Sequence, residues 1–170
     1  MNKRLALLLL VCSGQAMAEF SFDYDFDANQ KPWQEIQAKL PAVPKQENLM
    51  PFVVSAASPH HYFLDRTSIS AGEDGVVRYA VVVHTAGGAE DVSYEGMRCS
   101  TVEQKIYAFG RPDGQWARNK YASWQPIQMR QSSSYQRELY QHYFCTQDGP
   151  AEMKVIQRAL ASGGIRRGGD

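Results

Sequence analysis

Three charged side chains interrupt the most apolar part of this sequence. Arg78 lies in the run VVRYAVVVH, and Glu95 and Arg98 lie in the next apolar run, VSYEGMRC. A charge set among buried residues is either neutralised by a partner or kept for chemistry, and both arrangements perturb its pKa. If Gly87-Gly88 forms a two-residue hairpin loop between the runs, Val83 faces Val92, Val81 faces Tyr94 and Tyr79 faces Gly96 on the main core side. On the other side Ala80 faces Glu95, Arg78 faces Met97 and Val76 faces Cys99. Arg78 and Glu95 then share a face one diagonal step apart, which predicts a structural ion pair. The alternative is a small anionic-ligand site built on Arg78 and Arg98. Glu95 with Asp91 offers two carboxylates for acid–base work, but no recognisable spacing requires it.

The remaining reactive side chains give no motif. His60, His61, His84 and His142 show no H-x-x-x-H or Cys/His ligand spacing. They predict surface or hydrogen-bonding roles and no metal site. The aspartates of the arm EFSFDYDFD fail as a calcium loop, because the sixth and twelfth positions counted from Asp23 hold Ala28 and Gln34 rather than Gly and Glu. No G-x-S-x-G elbow, P-loop or dinucleotide fingerprint is present. The expectation is no cofactor and no assignable catalytic residue.

The first residues read as a leader rather than as fold. Lys3 and Arg4 precede an apolar stretch from Leu5 to Val11, and Ala16-Met17-Ala18 fits a cleavage site. Residues 1–18 are therefore expected to be a signal peptide, too short in its apolar part to span a membrane, and the mature chain to start at Glu19 in the periplasm. A lipoprotein anchored at Cys12 is the lesser reading, since Val11 before it makes a poor lipobox. Loss of Cys12 leaves Cys99 and Cys145, which in an oxidising compartment most simply form a disulfide; two buried free thiols are the alternative. Loss of Lys3 and Arg4 leaves 16 basic against 18 acidic residues, a formal −2. That near-balance argues against nucleic-acid binding by bulk charge.

The elements that must position these residues follow from periodicity and punctuation. Residues 19–47 are expected to form an N-terminal arm and linker, with Phe20 to Asp27 an exposed arm or an edge strand, and Trp33 to Leu40 a short amphipathic helix. Pro41 and Pro44 then enforce extended chain. Residues 48–162 are expected to form one α+β domain. Strands are predicted around Phe52-Val53-Val54 and from Tyr62 to Ile69. The β-branched run from Val76 to His84 suits a strand covered on both faces. Its partner runs from Val92 to Cys99. Lys105 to Phe109 follows, then the turn Arg111-Pro112-Asp113-Gly114 and a strand anchored by Trp116. Ser132 to Ser134 supply an N-cap for a helix carrying Tyr135, Leu139 and Tyr143 on one face and Cys145 at its end. Pro150 suits the first turn of a last helix reaching Leu160. Residues 163–170 are expected to be a disordered tail.

Several of these runs, in this order, carry a resemblance: Trp33-Gln34-Glu35, Leu40-Pro41, Asn48-Leu49, Phe63-Leu64-Asp65 with Ser68-Ile69, Asp74-Gly75-Val76-Val77-Arg78-Tyr79, Tyr94-Glu95-Gly96-Met97-Arg98-Cys99, Tyr107-Ala108 and Trp116. They resemble the cryptic neisserial protein family, exported proteins of Gram-negative bacteria, over about Trp33 to Cys145. The resemblance implies export and brings no activity, cofactor or catalytic residue. The expected architecture is an antiparallel β-meander of four to six strands packed by one or two C-terminal helices. The expected function is a non-enzymatic periplasmic or envelope-associated module that binds an envelope protein or a small ligand. The alternative is a small hydrolase or transferase with a loop-borne site.

Overall fold

The computed structural model describes residues 31–164. The expectations for the leader, for the arm from Phe20 to Asp27 and for residues 165–170 of the tail lie outside the described residues.

Valine-rich sequence makes the centre of the sheet. Strand β4 (Val76–His84) is buried on both faces through Val82, as a run with no polar alternation requires. It pairs antiparallel with β5 (Glu90–Arg98), and β5 pairs with β6 (Glu103–Gly110). The full path runs β1 (Leu49–Phe52), β2 (His61–Asp65), β4, β5, β6, β7 (Trp116–Arg118). Two short strands lie off it: β3 (Ser70–Ala71) on β4 and β8 (Gln125–Pro126) on β6. Pro51 sits in the edge strand β1, where a missing N–H costs no ladder bond. The chain is thus an antiparallel meander with helices at its C-terminal end, as its sequence predicts.

The β4–β5 register differs from the expected one by a single residue. The loop has three residues, Ala86-Gly87-Gly88, not two. Thr85 N–H donates to Ala89 C=O at 2.8 Å, Gly88 N–H donates to Thr85 C=O at 2.9 Å, and Gly88 takes φ +82°. A left-handed glycine closing a three-residue hairpin is a standard solution to the strand twist. Val83 therefore faces Asp91, Val81 faces Ser93, Tyr79 faces Glu95 and Val77 faces Met97. The odd residues of β4 do face the main core, but every facing on β5 is reversed. Gly96 lies opposite Arg78 rather than Tyr79, and it makes room for Tyr107: a Cβ there would meet the Tyr107 hydroxyl at 2.5 Å.

Two layers cover the sheet. On the main core face lie α1 (Tyr135–Leu139), its continuation as a wider π-type coil through Phe144, and α2 (Met153–Ser162). Ser134 caps α1, its side-chain oxygen accepting from Arg137 N–H. Leu139, Tyr143, Phe144, Ile156 and Leu160 pack there with Val77, Tyr79, Val81 and Met97. The Cys99–Cys145 disulfide is formed, with Cα atoms 5.5 Å apart. It ties the end of β5 to β9 (Cys145–Thr146), which pairs with β10 (Gly149–Pro150). The one-residue register difference decides which face the helices take. Cys99 lies with Met97 on the main core side, so the helices cover Val77, Tyr79 and Val81 rather than Val76, Ala80 and Val82. Pro150 belongs to β10, and α2 begins at Met153 after it.

The second face is covered by chain that forms no helix. Trp33 to Leu40 forms neither helix nor strand, although its apolar spacing predicts a helix. Its backbone groups bond elsewhere: Ile36 N–H donates to Asp74 Oδ2 at 2.8 Å, and Ile36 C=O accepts from Arg78 Nη2 at 2.7 Å. Trp116 Nε1 donates to Pro41 C=O at 2.8 Å. Ala38 and Leu40 pack onto Ala80, Tyr94, Tyr107, Ala108 and Trp116. A short segment flanked by prolines gains more from these long-range bonds than from a marginal helix.

Candidate functional site

Strand alternation places the odd residues of β5 in one file on the main core face. Asp91 is exposed, Ser93 is half-buried and Glu95 is fully buried. Glu95 sits between the sheet and α1 with three hydroxyls directed at it. Ser93 Oγ and Tyr135 Oη each donate to Oε1 at 2.6 Å, and Tyr79 Oη donates to Oε2 at 3.0 Å. No ion pair forms to it among the described residues. Burial pushes the Glu95 carboxyl above its ordinary range, and the bonds from Ser93, Tyr135 and Tyr79 pull it part of the way back. Burial, and after it the Glu95 charge, holds the Tyr79 and Tyr135 phenols well above their usual value, so both stay protonated and able to donate.

An open groove of about 490 Å³ reaches this file from the β4–β5 hairpin end. Ser93 and Tyr135, the two hydroxyls that share Glu95 Oε1, line it. Tyr62, whose ring centroid lies 5.7 Å from that of Tyr135, forms one wall. Phe109, opposite Ser93 in the β5–β6 ladder and 46 % exposed, forms another. Glu90 and Asp91 also line it.

Arg78 takes a different neighbourhood from the expected one. The register puts Glu95 opposite Tyr79 and Arg78 opposite Gly96, on opposite faces of the sheet, so the Arg78–Glu95 ion pair is not formed. The partner of Arg78 is Asp74, four residues earlier in the turn before β4, with Nη2 at 2.6 Å from Oδ2. Both side chains are buried, at 7 % and 1 % exposed. Burial pushes Asp74 up, but hydrogen bonds from Arg78 and Ile36 and the Arg78 charge outweigh it and hold the carboxyl below its ordinary range. Arg98 lies on the same face as Arg78. Its guanidinium stacks over Trp33 at 3.9 Å, and Nη1 lies 3.6 Å from Glu103. Nearby, Glu35 Oε2 accepts from Lys105 Nζ at 2.8 Å and Trp124 Nε1 at 3.1 Å. Desolvation there is likewise outweighed by these donors, and Glu35 is lowered.

The sequence contains one signal for this arrangement that the expected register concealed. Asp91, Ser93 and Glu95 alternate on one strand and must share a face whatever the pairing. The contributions of Tyr79 and Tyr135 depend on the register and on where α1 docks. Asp74 as the Arg78 partner is hinted at only by an acid in the turn that feeds β4.

The histidines are dispersed. His60 Nδ1 accepts from Ala86 N–H at 3.1 Å, His84 Nε2 lies 3.0 Å from Glu90, and His142 Nε2 lies 3.8 Å from Glu138. Among the described residues no group of three His, Cys, Asp or Glu side chains is placed to hold a metal ion. No described helix is long and apolar enough to cross a membrane.

Comparison with known proteins identifies the family. No curated protein and no solved structure matches this chain. The model of the CNP1-like family matches residues 28–160, which span the strap on the second face, the whole sheet and nearly all of the helical layer, and the chain belongs to the CNP1-like family.

Proposed function

We propose that this chain is an exported, non-enzymatic binding module of the periplasm or cell envelope, and that the groove beside Ser93, Tyr135 and Phe109 is its binding site. The groove carries the reading. It is concave, walled by rings on two sides, with hydroxyls at its floor and a few polar groups at its rim, which is the usual make-up of a ligand site. Arg78, Glu95 and Arg98 serve this module as structure: Arg78 and Arg98 hold the segment from Trp33 on the second face, and Glu95 braces the floor of the groove. The disulfide suits an oxidising compartment, and the leader-like residues 1–18 supply the route to it. The mature form should begin Glu-Phe-Ser-Phe on N-terminal sequencing of the periplasmic fraction.

The alternative, a small hydrolase or transferase, has one observation in its favour: the 2.6 Å bond from Ser93 Oγ to Glu95 Oε1 resembles a nucleophile beside a base. Against it, the same carboxylate is already shared with Tyr135 and Tyr79, and a carboxyl this buried orders hydroxyls as readily as it activates them. A photo-crosslinking residue in place of Phe109, expressed in the exported protein, tests the binding reading. Adducts at position 109, and none with the same residue in place of the exposed Tyr121, are expected. Absence of any adduct at 109 overturns the choice of the groove.

A further inference from the structure

The groove has a chemical polarity beyond its shape. Its walls are rings, from Tyr62, Phe109 and Tyr135. Its floor presents the oxygens of Ser93 and Tyr135, whose protons are already directed at Glu95. A hydroxyl that has donated its proton inward can only accept from the outside. The rim carries the Asp91 carboxylate, and among the described residues no Lys or Arg lines the groove. The Glu90 carboxylate pairs with His84 on the other face of the sheet, while Asp91 makes no ion pair among the described residues. Ring faces attract cations through their quadrupole, acceptor-only oxygens select N–H donors, and the rim carboxylate of Asp91 adds negative potential to a cleft with apolar walls. These three features point the same way and repel the same ligands, namely carboxylates, phosphates and other anions.

We propose that the groove binds a small organic cation, an amine or quaternary ammonium on an apolar body. Its volume of about 490 Å³ is that of a small-molecule site. The charged head lies toward Asp91 and the ring faces, and the apolar body lies along Val83 and Ile106, which also line the groove. The acidic rim sets it apart from the second face, where the cations Arg78, Arg98 and Lys105 gather under the strap.

This inference rests on the groove being the binding site, and the test separates the two claims. Benzyltrimethylammonium, benzyl alcohol and benzoate share one ring and differ in charge. Each is titrated into the folded, disulfide-bonded mature chain, with amide and side-chain NMR shifts of Ser93, Phe109 and Tyr135 as the readout. The cation should bind about tenfold tighter than the alcohol, a difference of the size that one cation–π contact and one charge contact supply, and benzoate should not bind. In the Asp91→Asn variant the cation should lose about tenfold while the alcohol is unchanged. Phe109→Ala should weaken both. Equal or tighter binding of alcohol or benzoate, or no effect of Asp91→Asn, overturns the cation inference and leaves the groove as a site. No shift with any probe overturns it as well. If photo-crosslinking at position 109 is then also silent, the binding reading falls with it.

Discussion

The two faces of the β4–β5 hairpin each bury a carboxylate, and they treat it in opposite ways. On the second face Asp74 meets a guanidinium, and the pair is nearly dry. On the core face Glu95 meets three hydroxyls and, among the described residues, no cation. The first arrangement lowers the carboxyl pKa and the second leaves it raised. Both satisfy the rule that buried polar groups find partners, but they do different work. The Asp74–Arg78 pair fastens a segment of chain across the sheet, because Ile36 bonds to both members. The Glu95 cluster fastens nothing distant in the chain except Tyr135, and it orients hydroxyls that line an open groove. A paired charge closes a surface here, and an unpaired carboxyl organises one that stays open.

Breaking the closed face should have the largest effect. Asp74→Ala strands the Arg78 guanidinium and the Ile36 amide, and truncating one partner of a buried pair costs about 3–5 kcal/mol. Chemical denaturation should show that loss together with enhanced protease cleavage near Ile36. A loss under about 1 kcal/mol would show that the strap is held by Trp33 and Trp116 instead. Reducing the Cys99–Cys145 bond removes a link across 46 residues, for which the chain-entropy model gives about 4 kcal/mol, less any native strain. The effect should fall on the core face, loosening α1 and the π-type coil in hydrogen exchange before the strap. Exchange that rises equally on both faces would show that the faces are one cooperative unit.

The pH responses sharpen the contrast. Asp74 and Glu35 have lowered folded-state pKa values, so their contributions are present above the unfolded carboxyl value of about 4 and are lost as pH falls through the folded values. Glu95 has a raised folded-state pKa. Its contribution is therefore fully present below about pH 4 and is lost as pH rises through the folded value. Acid should release the strap first, while the core face is slightly favoured. Glu95→Gln should be less destabilising at neutral pH than at pH 4, measured as midpoints of urea unfolding. A difference that does not change with pH would show that Glu95 titrates alike in both states. The smallest stability effect belongs to Phe109→Ala. Its ring is 46 % exposed, so the change should cost under about 1 kcal/mol yet weaken the binding of benzyltrimethylammonium to the groove.

Much of the fold was legible residue by residue. Valines from Val76 to Val83 announced a central strand, Arg111 to Gly114 a turn, Ser134 a helix cap, and two cysteines a bond. Each is a local preference or a simple count, and none needs a partner's position to be known. The candidate site was legible only in part. Arg78 and Glu95 stood out as charges in apolar strands, but their partners did not. Asp74 is marked only as an acid in the turn before β4, and Tyr79 and Tyr135 carry no sequence sign linking them to Glu95.

The sequence by itself determined that the chain folds as an antiparallel meander with C-terminal helices, that β4 is covered on both faces, and that Cys99 and Cys145 can join. Only the tertiary structure decided which side of β5 faces the helices. A strand buried on both faces carries no polar stripe to fix its register, so the decision passed to one extra loop residue and Gly88 at φ +82°. That choice sent Glu95 to the groove and left Arg78 with Asp74. The path of Trp33 to Leu40 was likewise set from outside. Its apolar period fits a helix, but its amide and carbonyl groups meet Asp74 and Arg78, 38 and 42 residues away. No window of local sequence contains those partners.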